Sequence, residues 1–150
     1  MTSTLLLAQF AAQNIALFCC ALFAGAATYV SLVEHPRLDA GEAELADTTL
    51  VASHPRPAIF QAALGAIGSL AAILAGSAAG ATWWLAGGAV LGAAALWQVF
   101  AVLPLIRRLT RIEGRANPRN AAQIIARLAK LHAALSLAAL AALFMFIMKA

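Results

Sequence analysis

The chain is predicted to be all-α, a bundle of four transmembrane helices that makes one integral membrane domain of residues 1–150, and three observations predict it. Of its 150 residues 63% are hydrophobic and only 11% charged, with a mean hydropathy of +0.87, whereas a soluble domain is roughly a quarter charged. The apolar residues gather into four runs, residues 5–33, 57–79, 83–106 and 131–148, each near the ~20 residues that cross hydrocarbon. The runs are continuously apolar rather than alternating, which excludes a porin-like barrel; a backbone in lipid is then satisfied only as helix. No room remains for a separate soluble domain.

The first run has the small residues Ala24-Gly25-Ala26, as a secretion signal would, but no Lys or Arg precedes Arg37 and the run is too long for a signal core. It is read as a retained helix. With four spans, the connections 34–56 and 107–130 share one side and hold Arg37, Arg56, Arg107, Arg108, Arg111, Arg115, Arg119, Arg127 and Lys130, against Lys149 alone on the other. The positive-inside rule places both connections in the cytoplasm and both termini on the outer side, the expected location being the cytoplasmic (inner) membrane. Net charge is +4. Because the basic residues flank membrane segments, the partner they imply is anionic membrane lipid and not nucleic acid.

The helix faces carry packing signals. At about 100° per residue, Gln9, Gln13, Cys20, Ala24, Thr28, Ser31 and His35 form one stripe on the first helix, with Glu34 at its edge. On the second, Gln61, Gly65, Gly68, Ser69, Ala72 and Gly76 share a face, and Gly88, Gly92 and Ala95 do so on the third; small residues at this spacing let backbones approach closely. Trp83 and Trp84 are expected in an outer aromatic belt. Gly80-Ala81-Thr82 is a short turn between antiparallel helices. Gly114, Asn117 and Pro118 stop one helix and start the next, so the last helix begins before the membrane and runs roughly 45 Å.

Chemistry centres on the three histidines, all at junctions of apolar and charged sequence: His35-Pro36-Arg37, His54-Pro55-Arg56 and His132. Three readings stay open. His35, His54 and His132, with a carboxylate such as Glu34, can ligate a metal ion, although no His-x-x-x-His spacing supports it. They can instead form a metal-free acid/base site, or merely cap helix ends among headgroups. His132 stands out because it lies inside an apolar run, one turn before Ser136. Cys19 and Cys20 are adjacent and mid-span with no Cys-x-x-Cys, and read as buried free thiols. Phosphate-binding glycine loops, Gly-x-Ser-x-Gly and dinucleotide fingerprints are lacking from the sequence.

The stretch Leu22-Phe23-Ala24-Gly25-Ala26-Ala27-Thr28-Tyr29-Val30-Ser31-Leu32-Val33-Glu34-His35-Pro36-Arg37-Leu38 resembles the first helix of a family of small four-helix membrane proteins that includes the fungal anthrone oxygenases. Gln61, Trp97 ahead of Pro104 and then Arg107-Arg108-Leu109, and Leu131-His132 are similar as well. The chain departs from the family at Leu105 and Ile106, where Thr and Asn are common, and at Ala129 and Leu135, where Trp and Arg are common. The resemblance implies an oxygenase-like oxidoreductase acting on a lipophilic aromatic or quinone-like compound, with His35 and His132 as candidate bases, Glu34 and Arg37 beside them, and Tyr29, Gln61 and Trp97 as substrate-binding residues. Its cofactor is either none or a metal ion, and a homo-oligomer stays open. Competing readings are a haem- or metal-binding membrane protein and a non-catalytic membrane subunit or small transporter. On the narrowest expectation, His35 and His132 share one pocket at the cytoplasmic end, with His54 peripheral.

Overall fold

A computed structural model describes residues 3–34, 55–110 and 118–148. The helices are α1 (Ser3–Tyr29), continued by a π-helical segment Val30–Glu34; α2 (Pro55–Ala79); α3 (Thr82–Trp97), continued by a second π segment Gln98–Val102 into α4 (Leu103–Thr110); and α5 (Pro118–Ile147). Among the described residues these make four spans long and apolar enough to cross a membrane, Ser3–Glu34, Pro55–Ala79, Thr82–Leu109 and Gln123–Ile147, and no strand. The protein is an all-α, four-helix integral membrane bundle. Rows of exposed Leu, Ile and Phe, such as Leu7, Phe18, Leu70, Phe100 and Phe144, coat its outside and need lipid rather than water.

Each span packs on two neighbours, α1 on α2 and α5, and α3 on α2 and α5, so the cross-section is a square. The small-residue face of α2 makes this possible. A Cβ on Gly68 would stand 2.9 Å from both Cys19 Cβ and Leu91 Cδ2, and one on Gly65 would stand 2.9 Å from Ala95 Cβ and 3.0 Å from Phe23 Cε2. Gln61, Gly65, Gly68, Ser69, Ala72 and Gly76 are all buried, as their shared face predicts. Numbers fall along α2 as they rise along α1 and α3, so both pairs are antiparallel.

The α2–α3 turn depends on one residue. Gly80 adopts φ 63°, and the Ala81 N–H reaches back to the Gly76 carbonyl at 3.0 Å, the six-to-one closure of a Schellman end. Ala81 O then accepts from Trp84 N–H at 3.1 Å and opens α3. The last helix begins at Pro118 and its 30 residues run about 45 Å; the predicted stops at Gly114 and Asn117 lie outside the described residues.

One expectation is corrected. Trp84 is not in an outer belt: it is 1% exposed and stacks on Phe146, centroids 4.9 Å apart at 15°. Consecutive helical residues point about 100° apart, so only Trp83, 48% exposed, faces outward. The polar stripe of α1 has no exposed member among the described residues: Cys20 and Ala24 are buried and Gln9, Gln13, Thr28 and Ser31 half-buried, whereas Asn14, which is not on the stripe, is exposed and bonds its own helix at Phe10 O, 2.8 Å away. Leu5, Leu6 and Leu7 are exposed, so the first turns of α1 extend past their neighbours.

Candidate functional site

The two π segments lie at the same end of the bundle, the end of the long connections. Each has a proline two positions beyond its last residue, Pro36 and Pro104. A proline ring inside a helix presses on the carbonyl four residues earlier and donates no N–H; four residues before Pro104 is Phe100, the middle of Gln98–Val102. Widening the turn relieves that clash, and the Leu103 N–H accordingly bonds Gln98 O, five residues back. Leu32 bears the same relation in sequence to Pro36. The inserted residue also rotates every later side chain of the span. Regular helix would set Ile106 about 80° from Gln98, whereas one extra residue brings it within about 20°, and both face one cavity.

That cavity holds about 280 Å³, near the lower bound of ~300 Å³ for small-molecule sites. Its floor comprises Gln61, Gln98, Ile106 and His132, and its rim Leu22, Tyr29 and Phe60. The rim residues are exposed on the apolar outside of α1 and α2, so the cavity opens sideways into lipid, while the floor residues are all buried.

Hydrogen bonding fixes how the floor is oriented. The carbonyl of Phe23 can only accept, so the Gln61 group 3.2 Å from it is the amide N–H. Gln61 Oε1 therefore faces Gln98, and Gln98 Nε2 donates to it at 3.1 Å. The chain of donors ends there, leaving Gln98 Oε1 buried without a hydrogen-bond partner. The same reasoning applies to His132, 2% exposed: its Nδ1 lies 3.1 Å from Leu128 O, which can only accept, so Nδ1 is the donor of this bond. Behind it, Ser136 Oγ donates to His132 O at 2.8 Å and lies 2.9 Å from Ser31 Oγ, which is 2.9 Å from Ala27 O. Two hydroxyl hydrogens serve three contacts, so one carbonyl bond is given up whenever the serines bond each other.

Of the residues expected at the site, Tyr29, Gln61 and His132 line this cavity. Glu34 is buried at the end of the first π segment. Trp97 is half-exposed and lines a different groove, between α3 and α5, with Leu135. His35, Arg37 and His54 lie outside the described residues, and with them the pairing of His35 with His132 and two of the three ligands of the metal alternative. Among the described residues no group of three or more His, Cys, Asp or Glu is placed to hold a metal ion. Cys19 and Cys20 are buried and free, Cys20 Sγ lying 3.7 Å from Ala139 O. Gln98, a polar residue in the middle of the third apolar run, is on the floor without having been expected at the site. Its signal was a lone amide within an apolar run.

Comparisons with family models, characterised proteins and solved structures gave no match to this chain. The functional reading therefore rests on the cavity itself. Ile106 is the apolar member of a floor otherwise made of Gln61, Gln98 and His132. What the floor offers is an imidazole held through Nδ1, a glutamine pair, and an apolar opening toward the outside of the bundle.

Proposed function

We propose that this protein is an anthrone-oxygenase-like membrane oxidoreductase that takes a lipophilic aromatic compound sideways from the bilayer and uses His132 as general base. The observation that supports it most is the buried His132, held through Nδ1 on the floor of a cavity whose rim is apolar and lipid-facing. In an anthrone the methylene between two rings is acidic. His132 Nε2 removes one proton, and the C–H electron pair passes into the conjugated enolate. Dioxygen adds to that carbon and is reduced as the carbon is oxidised; the peroxide anion takes back a proton, the remaining C–H bond then gives up its proton as its electron pair forms the carbonyl, and the O–O bond breaks to release hydroxide, which leaves with that proton as water. One oxygen atom ends in product and the other in water. Glu34 and, next in the chain, His35 and Arg37 are the groups proposed to relay the proton and meet the developing oxyanion. The unpartnered Gln98 Oε1 favours a substrate bearing a hydroxyl donor, reached by rotation of the amide.

Oxygen uptake by proteoliposomes supplied with 1,8-dihydroxyanthrone tests this. The wild-type rate should exceed the autoxidation seen in empty liposomes, and His132→Ala should remove at least about 100-fold of the enhancement. A wild-type rate equal to the empty-liposome rate would sink the reading.

The orientation belongs to the same proposal. The exposed Arg56, Arg107, Arg108, Arg127 and Lys130 all stand at the cavity end, which favours a cytoplasmic cavity in the inner membrane. In a background lacking Cys19 and Cys20, a cysteine replacing Asn117 should resist an impermeant thiol reagent added outside, while one replacing Ser3 should react. The reverse labelling would overturn the orientation.

A further inference from the structure

The seam between the third and fourth spans changes along its length. Toward the α2–α3 turn it is shut: Trp84 stacks on Phe146, and a Cβ on Gly87 would stand 2.5 Å from Phe146 Cε1. Toward the connections it opens into a groove of about 320 Å³, walled by Val90, Ala93 and Trp97 of α3 and by Ala134, Leu135 and Ala138 of α5. No residue lines both this groove and the Gln61–His132 cavity. The alanine walls leave the space, and the Trp97 indole is their one polar side-chain group. Such a concavity at membrane depth holds no water well, and unfilled it forfeits dispersion contacts along its lining. A methylene chain supplies them.

Charge at the open end selects the headgroup. Going down α5 from Ala134, Lys130 lies about 6 Å and Arg127 about 10 Å along the axis, and they stand within about 40° and 20° of Ala134 around it. Both are exposed and continue the groove face out of the apolar run. Their long side chains can extend to headgroup depth with the stems still on the groove wall. A zwitterionic headgroup would bring an ammonium of its own to two cations, whereas an anionic phosphate would not.

We propose that this groove binds one anionic phospholipid, an acyl chain lying between α3 and α5 and its phosphate held by Arg127 and Lys130. Native mass spectrometry of the full chain, released from nanodiscs of equal phosphatidylglycerol and phosphatidylcholine, tests it. One retained lipid per protomer is expected, enriched for phosphatidylglycerol on the order of twentyfold, about fivefold for each basic side chain. Arg127→Gln with Lys130→Gln should abolish the enrichment. Ala134→Leu, at an exposed position where folding is not at stake, should abolish retention by filling the groove. Equal retention of the two lipids, retention unaffected by Ala134→Leu, or a protein dimer that Ala134→Leu dissociates would each overturn the proposal, the last by assigning the groove to a second copy.

Discussion

At the turn end of the bundle the helices meet through glycines and rings, with Gly76 against Leu85, Gly87 against Phe146 and Trp84 stacked on Phe146. At the connection end they meet through amides, hydroxyls and an imidazole, namely Gln61, Gln98, Ser31, Ser136 and His132, beside a cavity. The difference lies in backbone regularity. Where every helix keeps its period, small residues stack in register and backbones close up until no space remains. Where π turns break the period in the first and third spans, side chains are re-aimed, contact is incomplete, and a cavity of about 280 Å³ is left between the helices. Close packing and the polar-floored cavity thereby lie at opposite ends of one short molecule.

That division can be broken by paired substitutions. His132→Ala at the connection end should lower turnover at least about 100-fold, whereas Phe146→Ala at the turn end should cost about 3–5 kcal/mol of stability yet leave kcat unchanged in protein that remains folded. Unfolding in detergent measured beside turnover checks both; a Phe146→Ala protein that stays folded but loses turnover would show that the two ends are coupled.

The next largest effect is on packing. Gly68→Leu drives a side chain into Cys19 and Leu91, both buried, and overpacking of this kind costs about 1–3 kcal/mol. Thermal unfolding with no change would mean that α2 can turn this face away from its neighbours.

The amide pair gives a smaller and more informative contrast. Gln61→Leu alone strands Gln98 Nε2, at about 1–3 kcal/mol, while Gln61→Leu with Gln98→Leu removes both amides, including the unpartnered Gln98 Oε1, and should be close to neutral. A double variant as unstable as the single would show that the pair supports the helix contacts rather than the cavity. Smallest of all is Gly25→Ala, where an added Cβ meets nothing within 4 Å. Helix propensity alone should then stabilise by up to about 1 kcal/mol, and a loss of stability would reveal a contact on the lipid side of α1.

Much of this was legible along the chain. Four apolar runs meant four spans because the length of a helix across hydrocarbon is a local quantity, and the inward face of α2 could be read from Gln61 to Gly76 because its period is unbroken. Gly80 marked the turn and Pro118 the start of α5 for equally local reasons, a positive φ and a missing donor. The site was legible only in fragments. Tyr29, Gln61 and His132 converge on one cavity, but Trp97, expected with them, lies on another groove, and Gln98, not expected, is on the floor.

What the sequence determined by itself is therefore the membrane bundle, its span lengths and the inward face of its one regular glycine-rich helix. Only the tertiary structure decided which of two adjacent tryptophans is buried, that Gln61 and Gln98 bond, and that Ile106 turns onto the same wall as Gln98. The reason is rotational. Hydropathy sets how far a helix runs, but its angle about its own axis is set by the neighbours it packs against, and a single inserted residue in a π turn shifts every later side chain by about 100°.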